Sequence, residues 1–295
     1  MAPLLNSAVI DPECNFVAQP DYPLPLHDRG VQYGQGLFET IRVVKGNAPL
    51  FQWHLHRAIQ GLERLGLPAD EAVIRGWFAE IVATLTGVDG GVKVMLTAGS
   101  GGAGYRNPEQ FQLRCRYTVL PLPQEIETQR RNGVALWCCE YRLPSNPPLA
   151  GIKHLNRLDQ LMARSCWQDD NYAEGLVLSQ TGDVIEATAA NLFVYSAGEW
   201  LTPILDLCGV SGVMRDFLLA ELLPSLGFTV RETRLTAEQL EESEEIFICN
   251  ALRGVIPVVG LSSGKQWPIG EQTSRVCEAL AQALPGYSME SRRSD

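Results

Sequence analysis

The sequence predicts an α+β fold in two domains, on three observations. Strand and helix patterns alternate irregularly, without the strict βαβ rhythm of a doubly wound sheet. The 295 residues suffice for two modest cores. Pro121-Leu122-Pro123 and the polar run after it interrupt the chain like a linker. The expected division is an N-terminal domain over 1–120, a linker over 121–131, a larger C-terminal domain over 132–287 and a disordered tail over 288–295.

In chain order, residues 1–35 read as short strands and turns rich in proline. Leu37 to Val44 carries β-branched and aromatic residues and runs into Lys45-Gly46-Asn47, which predicts a hairpin. Leu55, Ile59, Leu62 and Leu65 put one apolar face on a helix over Phe51–Leu65, with Arg57 near its start. A second helix is expected over Asp70–Leu85, and strands over Gly91–Thr97 and Arg114–Leu120. The second half predicts strands at Val134–Glu140, Glu174–Leu178 and Val184–Glu186. A hairpin follows at Asn191–Tyr195 and Trp200–Thr202, then a helix over Ser211–Leu226, a strand over Glu245–Cys249 and a last helix over Thr273–Leu284.

Composition narrows the function. The net charge is −10 and no Lys/Arg run occurs, which argues against a nucleic-acid or anionic-membrane surface. No apolar run reaches membrane-spanning length, and the N-terminus lacks a basic segment followed by an apolar one. The eight cysteines are scattered without a Cys-x-x-Cys pair, as reduced cytoplasmic thiols would be. The four histidines lack partners at metal-ligand spacing, so no metal site is expected.

The chemistry is expected around Lys153. This lysine follows a Pro/Gly-rich loop and precedes a helical pattern in which Leu155, Leu158, Leu161 and Met162 recur and would pack inward. Beside an apolar wall its amine would become a nucleophile suited to a Schiff base with an aldehyde cofactor. Glu186 stands among small apolar residues at a strand end, where a buried carboxylate needs a partner such as a protonated pyridine nitrogen. Gly209-Val210-Ser211-Gly212-Val213-Met214 opens a helix whose first N–H groups can hold a phosphate. Arg57 can add a planar counter-charge. Gly99 to Gly104 lacks the Gly-Lys-Ser/Thr ending of a Walker loop and reads as a flexible active-site loop.

Together these stretches resemble the fold type IV pyridoxal-phosphate enzymes, which include branched-chain and D-amino acid aminotransferases. The matching motifs cover most of the chain: His27-Asp28-Arg29-Gly30, Tyr33 to Thr40, His54-Leu55-His56-Arg57, Gly99 to Tyr105, Gly151 to Gln160, Glu186 to Phe193, Gly209 to Arg215 and Ile248 to Leu252. Within that family, Lys153-His154-Leu155-Asn156-Arg157-Leu158 is typical of the aminodeoxychorismate lyases. The resemblance implies that pyridoxal 5'-phosphate is held by Lys153 as an imine and by Glu186 at the pyridine nitrogen. Arg57, Gly212, Val213, Met214 and the Asn250–Ala251 turn would bind its phosphate. Thr40, Tyr105 and Arg106 would lie near a small-molecule substrate. Relatives often carry an arginine where this chain has Ala103, and Arg106 is expected to replace it in holding a substrate carboxylate. The implied reaction is cleavage of 4-amino-4-deoxychorismate to 4-aminobenzoate and pyruvate, with amino transfer from D- or branched-chain amino acids as the alternative. The implied assembly is a homodimer.

Overall fold

A computed structural model describes residues 25–288 and the strands at 8–11 and 14–17. The expected tail therefore lies almost wholly outside the described residues, as does most of the proline-rich N-terminal stretch. The chain falls into two compact units. One is Met1–Leu122 with Ile152–Asn156; the other is Pro123–Gly151 with Arg157–Asp295. The segment carrying Lys153 thus counts with the first unit, although it lies deep in the second half of the sequence.

The first unit contains β1 (Ala8–Asp11), β2 (Cys14–Val17), α1 (Arg29–Tyr33), β3 (Gly36–Val43), α2 (Phe51–Arg64), α3 (Glu71–Ala83), β4 (Gly90–Thr97) and β5 (Arg114–Leu120). Its sheet runs β2-β1-β5-β4-β3, antiparallel throughout. Leu37, Ile41 and Val43 of β3 and Val92, Val94 and Leu96 of β4 point into one core, which Leu55, Ala58 and Leu62 of α2 and Ile74, Phe78 and Ile81 of α3 close. Asp70 caps α3 by accepting from the Val73 amide. The hairpin expected after β3 does not form. Lys45 and Gly46 take positive φ and close only the Val44–Asn47 bridge before α2 begins. β3 instead pairs along its whole length with β4, from Gly36 opposite Thr97 to Val43 opposite Gly90.

The second unit contains α4 (Ile126–Asn132), β6 (Val134–Leu143), α5 (Leu158–Arg164), β7 (Tyr172–Ser179), β8 (Val184–Ala187), β9 (Asn191–Ser196), β10 (Glu199–Pro203) and α6 (Val213–Phe217). A π-helical turn (Leu218–Leu222) joins α6 to α7 (Leu223–Ser225). Then come β11 (Val230–Thr233), α8 (Ala237–Glu242), β12 (Glu245–Asn250), β13 (Gly254–Leu261) and α9 (Glu271–Ala283). α6, the π turn and α7 together make the single helix expected over 211–226. α4 fills most of the stretch read as a linker. The eight strands order as β11-β10-β9-β12-β13-β6-β7-β8 in a mixed sheet. The central strands β9, β12 and β13 carry nearly continuous buried runs, as strands covered on both faces do. The α+β expectation holds.

The helix after the lysine loop departs from expectation. α5 turns Leu158, Leu161 and Met162 outward, at 74, 63 and 53 % exposure. Its polar side faces the protein because partners wait there. Asp159 accepts from the Tyr141 hydroxyl at 2.5 Å, and Gln160 reaches the Glu186 carboxylate at 3.5 Å.

Candidate active site

In the first unit the lysine loop lies alongside β3. The Phe38 amide donates to the Lys153 carbonyl at 3.0 Å, and the Leu155 amide donates to the Gly36 carbonyl at 3.0 Å. A side chain at position 36 would collide with this arrangement, since its Cβ would fall 2.2 Å from the Leu96 carbonyl oxygen and 2.9 Å from Leu155. Lys153 places its Nζ 4.3 Å from the centre of the Phe38 ring, which supplies the expected apolar wall. Thr40 sits two residues further along β3. Phe38 and Thr40 are both half-buried, alternating with the fully buried Leu37, Glu39 and Ile41.

Glu39, on the buried side, was not anticipated as a site residue. It is 1 % exposed and accepts hydrogen bonds from two residues of α2. The Arg57 Nε donates to one carboxylate oxygen at 2.8 Å and an Arg57 terminal nitrogen to the other. The His54 Nδ1 lies 2.6 Å from that second oxygen. An ionised carboxylate only accepts, so His54 carries its proton on Nδ1. Burial alone would raise the Glu39 pKa, but the Arg57 charge and the His54 hydrogen bond outweigh it and hold the carboxyl at about 2. Burial pushes His54 the other way from a protonated state, below its ordinary 6.5, against the pull of Glu39 and with the repulsion of Arg57 and Lys153.

This gives a signed pH dependence. Both groups bind protons more readily unfolded than folded, so the unfolded chain gains as pH falls. The His54 contribution fades below pH 6.5, and that of Glu39 fades from 4.5 towards about 2. His54→Phe should flatten the upper limb of a thermal-midpoint-against-pH curve; an unchanged slope between neutrality and the Glu39 range would clear His54 of this role.

The Gly99–Gly104 loop is tied down. Arg29, 4 % exposed, donates to the carbonyls of Gly101 at 3.2 Å and Gly104 at 3.1 Å, and its own amide donates to the Gly99 carbonyl. Asp28, fully buried, accepts from Gly30, Thr97 and Arg114 beneath it. At the loop's end Tyr105 is 89 % exposed, and Arg106 is also exposed.

The second unit gathers the other expected residues around the β8–β9 turn. Glu186, 5 % exposed, accepts from the Val210 amide at 2.8 Å and faces Gln160. Its charge also raises the pKa of Arg157, which burial lowers. Gly209 must be glycine: φ is +88°, and a Cβ would meet Ile185 and Leu205 at 2.8 Å. Gly212 opens α6 with no side chain capping it, and a Cβ there would fall 2.0 Å from the Asn191 Oδ1. Asn191 in turn donates to the Val210 carbonyl at 2.8 Å, so the strand after Glu186 fixes the start of the Val213–Met214 turn. Asn250 ties the end of β12 to the same place. It donates to the Ala189 carbonyl at 2.9 Å and accepts from the amides of Leu252 and Arg253. The Ala251 carbonyl accepts from the Tyr287 hydroxyl at 2.5 Å.

Comparison with known proteins decides the family. The amino-transferase class IV family matches residues 36–261. The chain belongs to that family. Among its class IV relatives, aminodeoxychorismate lyase of Vibrio harveyi is 36 % identical over 261 residues, spanning 87 % of this chain and 95 % of the relative. The crystal structure of 4-amino-4-deoxychorismate lyase from Pseudomonas aeruginosa superposes with a TM-score of 0.85 at 38 % identity, covering 90 % of this chain and 96 % of its own. D-alanine aminotransferase of Bacillus licheniformis is 27 % identical over 266 residues, 88 % of this chain and 91 % of the relative. The class IV fold is therefore a fold type IV α+β architecture, as the motifs implied.

Sequence reasoning missed Phe38, Glu39 and His54 as individual site residues. A signal existed for Glu39, a charge in the inward-facing series Leu37, Ile41, Val43. His54 and Arg57 stand three apart on α2, hence on one helix face.

Proposed function

We propose that the protein is a pyridoxal-phosphate-dependent carbon–oxygen lyase that converts 4-amino-4-deoxychorismate to 4-aminobenzoate and pyruvate for folate synthesis. The observation that carries this reading is near-complete coverage by two relatives named as lyases, at 36 and 38 % identity. The donor set suits the cofactor: an amine beside an aromatic face, a buried carboxylate, an uncapped helix start and a guanidinium. Bound there, pyridoxal 5'-phosphate supplies an aldehyde for amine attachment and an electron-withdrawing ring.

The protein's own groups do the rest. The Lys153 amine would hold the cofactor's aldehyde carbon and, when free, would take the proton from the amine-bearing carbon of the substrate. The Glu186 carboxylate would pair with the cofactor's pyridine nitrogen and favour its protonated form. Arg57, the amides of Gly212, Val213 and Met214, and the Asn250–Ala251 turn would hold the phosphate, as their counterparts in the family motifs imply. Thr40, Tyr105 and Arg106 serve the substrate, with Arg106 on one of its carboxylates. The carbon next to the deprotonated one carries the enolpyruvyl ether; its carbon–oxygen bond breaks, the ring becomes aromatic, and the departing enolpyruvate takes up a proton to become pyruvate.

Incubation with enzymatically made aminodeoxychorismate tests this. Aminobenzoate and pyruvate should appear in equal amounts over many turnovers with no keto acid added. The D-alanine aminotransferase relatives make amino transfer the competing reading. Fast keto-acid-dependent transfer from an ordinary amino acid, with no aminobenzoate formed, would replace the lyase assignment by that one.

The working form in this reading is a cytoplasmic homodimer. Free thiols at the seven cysteines from Cys115 to Cys277 suit a reducing compartment. No helix among the described residues is long and apolar enough to cross a membrane. The outward face of α5 supports the dimer, because Leu158, Leu161 and Met162 form an apolar patch of the kind a second copy covers. Leu161→Glu should shift the sedimenting species towards monomer; a variant that sediments as the parent dimer excludes this face from the contact.

A further inference from the structure

The buried charges of the first unit go beyond what the proposed chemistry uses. The side-chain hydrogen bonds described for Glu39 run to His54 and Arg57, and no role in the proposed reaction is assigned to either Glu39 or His54. A carboxylate and an imidazole, each 1 % exposed, cost free energy to bury, and the cost falls only if every hydrogen bond is made. The geometry meets that condition on the Glu39 side. Its two oxygens take the Nε edge of the Arg57 fork, one of them at 2.8 Å, and the His54 ring closes the second oxygen at 2.6 Å. An arginine held along that edge has its guanidinium plane fixed. It no longer samples the rotamers of a long flexible side chain. The helix that carries both His54 and Arg57 is equally set, since α2 buries His54, Leu55, Ala58 and Leu62 along one face.

We propose that Glu39 and His54 are positioning residues that set the Arg57 guanidinium in one orientation, so that it meets the cofactor's phosphate ester without first having to be ordered. The inference rests on the reading that Arg57 binds that phosphate. His54 acts through Glu39: its Nδ1–H keeps the carboxylate from rotating away from the fork. Its Nε2 has no hydrogen-bond partner among the described residues, so a second proton there would be buried unpaired. The neutral ring is thus the form that does the holding.

The test compares pyridoxal 5'-phosphate with pyridoxal, which lacks the phosphate, by titrating the cofactor-free full-length protein. Glu39→Gln keeps the shape of the side chain and removes its charge. It should weaken phosphorylated cofactor binding about tenfold, the size of one lost charged hydrogen bond. Pyridoxal binding should stay within about twofold of the parent, because no phosphate is involved. In an Arg57→Ala background Glu39→Gln should add no further loss. His54→Phe should reproduce the phosphate-selective loss and His54→Asn, which keeps a donor near the Nδ1 position, should restore binding. These two variants carry the test if Glu39→Gln does not fold.

Parent-like affinity for the phosphorylated cofactor in Glu39→Gln or His54→Phe overturns the inference. So does an equal loss for both ligands, or additivity with Arg57→Ala, either of which marks a merely structural role. In those cases Arg57→Ala alone still weakens the phosphorylated ligand selectively, and the assignment of Arg57 stands. If Arg57→Ala leaves the preference for the phosphorylated ligand unchanged, that assignment falls and the inference falls with it.

Discussion

Lys153→Ala is expected to abolish turnover and to leave a protein that holds its cofactor without a covalent bond. Two functions disappear together. In the proposed mechanism the amine that would attach the cofactor is gone, and so is the base that would take the substrate proton. A positioned general base alone contributes about 10²–10⁴-fold, so the combined loss should exceed that range. The Lys153 carbonyl accepts from Phe38, and its amine lies 4.3 Å from the Phe38 ring centre. The other lysine at that ring, Lys93, stands 4.8 Å from it on β4, one strand over. Alanine keeps the backbone pairing and removes only the amine, so the fold should survive. The readouts are the visible absorbance of the lysine-bound cofactor and borohydride fixation of a pyridoxyl group on the protein. A Lys153→Ala protein that keeps its colour and its reducible adduct would send the search to another amine, Lys93 first.

Glu186→Gln should retain cofactor and lose rate. The carboxylate is 5 % exposed and takes the Val210 amide on one oxygen, an interaction a glutamine oxygen can keep. What changes is the other side of the group. An amide nitrogen donates, so it favours a neutral, accepting pyridine nitrogen where the carboxylate favours a protonated one. In the proposed role of Glu186, the ring would then withdraw electrons less well. Loss of one charge-assisted hydrogen bond corresponds to about 1.5–3 kcal/mol, or roughly ten- to a hundredfold in rate if it is felt wholly in the transition state. Turnover within twofold of the parent, with cofactor fully bound, would show that the ring nitrogen has a different partner.

Much of this arrangement was legible in the residues, for identifiable reasons. Local patterning found α2, α3, α9 and most strands, the helices through an apolar face on a core and the central strands β9 and β12 through short apolar runs. The glycines at 209 and 212 were legible as a helix opening, and the structure supplies their cause in Ile185, Leu205 and Asn191. β13 was not legible. Pro257 stands inside it, opposite Phe247, where a proline normally argues against a central strand. The orientation of α5 was read backwards, because periodicity says which residues share a face and not which face turns inward. Tyr141 and Glu186, distant in sequence, decide that. The Glu39–His54–Arg57 cluster failed for the same reason. A carboxylate on a buried strand face looks like a fault until its partners fifteen and eighteen positions away are known.

The placement of Ile152–Asn156 also bears on how the gene can be divided. Those five residues count with the unit whose other described parts end by Leu122, yet they are encoded some thirty positions later. A cut at Leu122 would give a fragment carrying Arg57 without the lysine whose backbone pairs with its own β3. The other fragment would carry the lysine without that strand. The two units are therefore not exchangeable cassettes. Chimeras between relatives should take residues 152–156 from the same parent as β3, or Lys153 will be mounted on a strand that was not selected to seat it.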